Sequence, residues 1–402
     1  MTMKGTAFRC LRFISPGTQR RKLCIWAALI ALFVPFLVVQ HLVFPKAALP
    51  TGFDNPLRGN LWPPCTACGP RVVFVSAQTK PSPGWCRMMI SAILSNISVV
   101  TIGEGATYSH ASRPAWILDY INDAGLRDED VVVAFDGSDT FFTAAANAKK
   151  AVEDFLSQTA ADPGTFSVAA RSGPQRAPLQ FESQVWCFAP QLKMMLDSGP
   201  SEKFAKCKWH YADALAQANA VDPNQRLMRP PESGFAYLSG GAMVGRVWAI
   251  REAFRAYAMI LQKSRWWWCD QSIWTLLYLW SASPYSTVEV GFRPRHGLIS
   301  LDFDNIFSMF PRFGLKGSPA LIHLPGHSKS WKQRIPGFLA GTAWYPLLQS
   351  SPAFRKDARK MIEAAAIEVY NSRGQRSMRR FSDVCVLKDA LNPTWLASAL
   401  SK

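Results

Sequence analysis

The sequence predicts an α/β fold: a mostly parallel sheet with helices flanking both faces. Three observations lead there. Short runs rich in β-branched residues recur as "RVVFVS" (71–76), "SVVTIG" (98–103), "VVVAFD" (131–136) and "FSVAA" (166–170). Helix-like segments such as "SRPAWILDYINDAG" stand between them. The runs are apolar along their length, as strands covered on two faces are, and alternation of strand with helix is the pattern of parallel pairing. With 402 residues, 49% hydrophobic and 18% charged, the chain can bury a large core, which excludes a disordered polymer.

Ahead of this domain stands a basic arm. Residues 1–50 hold Lys4, Arg9, Arg12, Arg20, Arg21, Lys22 and Lys46 and no acid, a large part of the +17 net charge. A basic surplus suits nucleic acid, anionic lipid or an anionic small molecule; its place beside an apolar run selects the membrane and sets nucleic acid aside. From Leu23 to Pro45, "LCIWAALIALFVPFLVVQHLVFP" carries no formal charge, and about twenty apolar residues cross a hydrocarbon core. A cleaved signal peptide would place a shorter run nearer the start, before a small-x-small site that "VVQHLVFPKAALP" barely offers. The reading is a cytosolic tail at 1–22 and a transmembrane signal anchor at 23–45. Arg20, Arg21 and Lys22 keep that end cytosolic, so the remainder is lumenal, a single-pass type II topology.

Cys65, Cys68, Cys86, Cys187, Cys207, Cys269 and Cys385 then face an oxidising compartment, where disulfides persist. An odd number leaves at least one thiol unpaired or shared with a second chain, a route to a disulfide-linked or homo-oligomeric state. Cys65 and Cys68 form a CxxC without a second one, so a disulfide is favoured over zinc. "NIS" at Asn96 is a permitted glycosylation sequon.

Residues 46–70 are proline-rich and aperiodic, hence a stem. The core domain spans 71–346. Past the fourth strand come "FAYLSGGAMVG" (235–245), the helices "VWAIREAFRAYAMILQK" (247–263) and "DQSIWTLLYLW" (270–280), and a late strand "ALIHL" (320–324). "PAFRKDARKMIEAAAIEVY" (352–370) reads as one amphipathic helix of a helical extension, 347–402, outside the core. There is no internal repeat, GxGxxG or P-loop.

"VVVAFDGSD" ends a buried strand on Asp136 and Asp139. Ligands of open parallel sheets bind beyond the carboxyl ends of the strands, and two carboxylates on a tight turn can aim at one hard divalent cation. The same composition also makes a plain turn with Asp139 as helix cap. Asp270, at the head of "DQSIWTLLYLW", and "LSGGAMVG" carry the same ambiguity between function and local structure; Trp266, Trp267 and Trp268 could make a sugar-stacking platform, since aromatic faces suit the apolar faces of hexoses, but three consecutive rings cannot all enter one groove, so packing with one exposed ring is expected.

Taken with "HLPGHSK", "TIGEGATY", "YLSGGAMVG", "CDQSIW" and "LISLDFDNIF", the strand-end DxxD resembles the glycosyltransferase domain of the multifunctional lysyl hydroxylases (procollagen glucosyltransferases) over residues 71–346. The resemblance implies a GT-A-like (Rossmann-like) single lumenal domain using Mn²⁺ and a UDP-sugar. It implies Asp136, Asp139 and His323 as metal ligands. Tyr108, Arg113, Ser239, Gly240, Gly241, Gly326 and Lys329 would line the donor, with Tyr108 stacking on the uracil and Lys329 near its phosphates. Asp270 would act on the reacting sugar and acceptor, and Asp302, Ile306 and Phe307 match a family strand. The chain departs from the family at Ser138, where an aromatic is expected, at Ser239, where Asn is, and over 169–190, where an acidic residue is missing in register and Glu182 or Cys187 could serve only through a folded-back loop. The expected function is transfer of glucose or galactose from a UDP-sugar to a protein- or glycan-linked acceptor in the Golgi or endoplasmic reticulum; the alternative is a catalytically inactive glycan- or nucleotide-binding membrane protein.

Overall fold

A computed structural model describes residues 69–167, 176–263, 266–283, 291–311, 317–325 and 329–385, the side chains of 329–333 excepted. The expected tail, anchor and nearly all of the stem lie outside these residues, as do Cys65 and Cys68. Among the described residues no helix is long and apolar enough to cross a membrane. All of them belong to a compact unit that begins at Asn55.

The predicted strands form where the β-branched runs stand: β1 (Val72–Ala77), β2 (Val99–Glu104) and β3 (Val131–Phe135). They pair in parallel in the order β2-β1-β3. Side chains alternate along β3, so Val132 and Ala134 enter one core and Val131, Val133 and Phe135 the other. That two-sided burial is why the run has no polar phase. Helices α1 (Pro83–Leu94) and α2 (Arg113–Asp123) cross between these strands.

Beyond β3 the chain makes the short β4 (Thr140–Phe142) and α3 (Ala145–Gln158). "FSVAA" does not supply the next strand: Phe166 and Ser167 are in no strand, and 168–170 fall outside the described residues. The strand is β5 (Leu179–Gln184), inside the stretch expected to be an inserted loop. Next come α4 (Lys203–Val221), β6 (Tyr237–Arg246), α5 (Val247–Lys263), α6 (Asp270–Ala282), β7 (Ile299–Asp302), β8 (Ser308–Met309) and β9 (Leu321–His323).

The described part of the expected helical extension, 347–385, departs from it after Ala364. After α7 (Lys329–Leu339), α8 (Tyr345–Ser350) and α9 (Pro352–Ala364) the chain turns extended at Ala365 and forms β10 (Ala366–Asn371), β11 (Arg376–Arg380) and the short α10 (Phe381–Val384). β10 pairs in parallel with β2, inside the main sheet. The single helix expected over 352–370 therefore ends early, because Ile367 and Val369 alternate at strand period and find the core that α9 leaves beside β2.

The completed sheet has eight strands in the order β11-β10-β2-β1-β3-β6-β5-β7. Only β6 and β11 run against the rest, so the architecture is a mostly parallel, Rossmann-like α/β sheet. Helices α2, α4, α5 and α6 cover one face. The other carries α1, α3, α8, α9 and a three-stranded sheet, β4-β9-β8.

Two disulfides fit the oxidising compartment inferred from the sequence. Cys187–Cys207 ties the segment after β5 to α4, and Cys86–Cys385 ties α1 to the chain beyond α10 across 299 residues. Cys269 is free and buried, out of reach of a second chain's thiol.

Closing so long a loop restricts the unfolded chain most. Cys385→Ala should therefore lower the unfolding free energy by about 2–5 kcal/mol, read as a fall in the urea midpoint without reductant, so that Cys187–Cys207 stays closed in both chains. An unchanged midpoint would show that β10 and β11 hold without the bridge.

Candidate metal centre

Three backbone registers converge at the carboxyl end of β3. The amide of Asp136 donates to Gly241 O on β6 at 2.8 Å. In the small sheet β4 runs antiparallel to β9 with Thr140 opposite His323, and Leu324 N donates to Asp139 O at 2.9 Å, so Asp139 and His323 become neighbours. On the other side Glu182 lies opposite Ser239 just past a bulge in the β5–β6 ladder. From below, α1 presses on the Asp136–Asp139 turn so closely that a Cβ on Gly84 would stand 2.2 Å from Ser138 O. The turn is a fixed platform, and neither aspartate caps a helix.

One ligand atom each from Asp136, Asp139 and His323 lies within 4.8 Å of the others. The expected ligand triad is brought together, a donor set of two carboxylates and an imidazole that can hold a divalent cation. His323 is 1% exposed. Its Nδ1 meets Glu182 Oε2 at 2.6 Å, while Nε2 stands 3.7 Å from Asp139 Oδ1 with no hydrogen-bond partner among the described residues. A buried ring nitrogen left over in this way, aimed at a carboxylate, is what a cation would satisfy. Gly241 leaves the room: a Cβ there would sit 1.9 Å from His323 Cε1. Burial by itself would lower the imidazole pKa, but the Glu182 and Asp139 charges outweigh it and raise it to about 9.

Glu182 is the residue that sequence reasoning underrated. Its carboxylate is buried on β5, reached through the strand itself and not through a folded-back loop. Oε1 accepts from Ser308 Oγ at 2.9 Å. Ser308 is held in turn by Asp302, whose carboxylate also accepts the amides of Ile306 (2.9 Å) and Phe307 (2.7 Å). The matched Asp302, Ile306 and Phe307 thus make a turn that aims Ser308 at Glu182. Cys187, the other acceptor-side candidate, is spent in a disulfide.

Arg113, expected as a donor contact, opens α2 and reaches into the centre. Its guanidinium pairs with Asp136, and its Nε donates to Asp270 Oδ2 at 3.0 Å. Burial works against that charge, but Asp270 outweighs it and holds the guanidinium protonated. Asp270 is the first residue of α6 and not its cap, which is Cys269; it is 4% exposed, and its Oδ1 accepts from Gln271 N at 2.8 Å.

Ser239, Gly240 and Gly241 form no tight turn. They lie in the middle of β6, where Gly240 N donates to Gln271 Oε1 at 3.0 Å and Ser239 is buried. Tyr108 sits in the loop before α2, 45% exposed, with its hydroxyl 3.2 Å from His110 Nδ1 and within electrostatic reach of Arg113, Asp270 and Asp139. Gly326 lies outside the described residues, as does the side chain of Lys329, the first residue of α7. A cavity of about 480 Å³ lies elsewhere, beside Gln180 and Ser300 near the sheet edge. Two of its arginines, Arg176 and Arg229, are already paired with Asp304.

No protein-family model matches the chain, and no curated protein matches it either.

Glu182→Gln keeps the shape and an acceptor for Nδ1 but removes the charge that orients and polarises the ring. The variant should bind Mn²⁺ about 10–100-fold more weakly and lose most of the melting-temperature rise that the cation gives the native chain. If Glu182 only supports the fold, loaded and metal-free melting temperatures will fall together and their difference will survive.

Proposed function

We propose that the chain is a Mn²⁺-dependent glycosyltransferase of GT-A type, moving glucose or galactose from a UDP-sugar to a protein- or glycan-linked acceptor. In this reading it is a type II protein of the Golgi or endoplasmic reticulum membrane with a lumenal catalytic domain. The observation that supports it best is the meeting of Asp136, Asp139 and His323 at the strand ends, beside the flat Gly240–Gly241 stretch and Asp270. The family likeness of these motifs gives the donor class.

The donor set fits the ion: a hard-oxygen pair with one imidazole lies between a pure carboxylate site and a thiolate or polyhistidine one. Bound there, the cation would supply Lewis-acid stabilisation of the departing diphosphate. Asp136, Asp139 and His323 would hold it, Glu182 fixing the ring so that Nε2 faces inward. Gly241 and Gly240, without side chains, let the His323 ring and Gln271 pack against β6 beside the proposed donor site. Arg113 neutralises Asp270 and keeps that carboxylate pointed at the site, where it would orient the acceptor hydroxyl or take its proton. Lys329, at the head of α7, would meet the phosphates.

The test is a panel of UDP-sugars turned over by the full-length chain with and without Mn²⁺. Asp136→Ala, Asp139→Ala and His323→Ala should each abolish Mn²⁺-dependent UDP binding. Asp270→Asn should bind UDP and Mn²⁺ normally and lose turnover by about 100-fold or more, because the amide keeps the shape but cannot accept a proton. UDP binding without turnover in the native chain would make it the inactive binding protein instead.

Topology has its own check. A C-terminal tag should resist protease in intact microsomes and be digested once detergent is added. Digestion in intact vesicles would overturn the lumenal assignment. The sequon at Asn96 is exposed on the α1–β2 loop, so a glycosidase-sensitive mass there would agree with it.

A further inference from the structure

The aromatic run before Asp270 does not pack away as its sequence suggested. Trp267 is buried at 6%, whereas Trp266 and Trp268 on either side are 83% and 58% exposed. Two rings, not one, are therefore offered to solvent by the short segment that leads into α6. A second segment offers Trp186 at 45% and Phe188 at 39%.

These segments are stitched to each other and to the candidate site. Gln191 Oε1 accepts from Trp268 N at 2.9 Å and Cys269 N at 2.8 Å, and its Nε2 donates to Trp266 O at 2.8 Å. Gln271 Nε2 donates to Phe188 O at 2.8 Å, while its Oε1 holds Gly240 N. The disulfide from Cys187 anchors Trp186 and Phe188 further. The rings are thus held on fixed backbone immediately before Asp270.

Resting on the transferase reading above, we propose that Trp266, Trp268 and Phe188 form its acceptor subsite and that the acceptor group they take is a pyranose ring of a glycan. An indole face suits the apolar C–H face of a pyranose, and its N–H edge suits the hydroxyl rim. The glutamine latches decide against an extended peptide. Such a peptide would be recognised through main-chain hydrogen bonds, and the Trp266 carbonyl, the Trp268 and Cys269 amides and the Phe188 carbonyl are already taken. What the segment offers most is the exposed rings of Trp266 and Trp268, and positions two apart along a chain stand roughly 6–7 Å apart where it is extended, the scale of one sugar unit.

The experiment is saturation-transfer NMR on the full-length chain with methyl β-glucoside, β-galactoside, β-xyloside and α-mannoside as probes, beside a proline-rich peptide. At least one pyranoside should receive saturation on its axial C–H protons. That signal should fall at least fivefold in the Trp266→Ala, Trp268→Ala double variant while the Kd for UDP with Mn²⁺ stays within twofold of native. Equal signals in native and variant protein, no signal from any pyranoside, or transfer to the peptide alone overturns the proposal. Pyranoside signal that needs the tryptophans in a chain that fails to bind UDP and Mn²⁺ would keep a sugar-binding face but sink the acceptor role along with the transferase reading, so the two failures are told apart.

Discussion

Much of the centre depends on the hydrogen bond between His323 Nδ1 and Glu182. Both groups are buried, and a buried charge without its partner is costly enough to unfold or rearrange a site. The bond fixes which nitrogen carries hydrogen toward Glu182 and leaves Nε2 facing the aspartates. Everything around it serves that placement. β9 delivers the ring, β5 delivers the carboxylate, and the Asp302 turn delivers the Ser308 hydroxyl that holds the carboxylate's second oxygen. The absence of a Cβ on Gly241 then lets the ring lie against β6.

Charge balance explains the rest of the geometry. Asp136, Asp139, Glu182 and Asp270 crowd one end of the sheet, and like charges so close repel one another. His323 and Arg113 answer them, the first from the β9 side and the second from α2. A divalent cation among Asp136, Asp139 and His323 would take over the balancing that the imidazole proton provides without it. The requirement for positive charge at this place is therefore built into the fold.

What was legible in the sequence follows from which residues obey a simple period. β1, β2 and β3 are apolar on both faces, α5 and α6 are apolar in long runs, and each was readable at nearly its true length. The DxxD and His323 were readable as candidates because they end such runs. β5 was not, because its polar phase, Gln180 and Glu182, is buried instead of facing solvent, and a strand half made of polar residues looks like a loop. The join between α9 and β10 was hidden by the alanines of "EAAAIEVY", which suit a helix on local grounds until pairing with β2 overrides them. Arg113 could be picked out as basic, but its two carboxylate partners lie just past β3 and on α6, and no local signal announces such a contact.

The same reasoning separates the rigid part of the molecule from the part that faces outward. The triad stands on β9 and on the turn between β3 and β4, which is tied to Gly241 O and Leu324 N by backbone hydrogen bonds and packed against α1. Asp270 stands at the junction of the two parts, tied inward through Arg113 and outward, through the chain that precedes it, to the segment latched by Gln191. Gln191 and Gln271 are neither metal ligands nor charged, yet they set how the exposed rings sit relative to Asp270. An arrangement that only stabilised the fold would have no need to hold two tryptophans in solvent on a segment clamped so firmly, because exposed indole faces gain nothing from burial. The cost makes sense when the clamped rings meet a ligand, and their attachment to Asp270 is what links such a ligand to the proposed acceptor site.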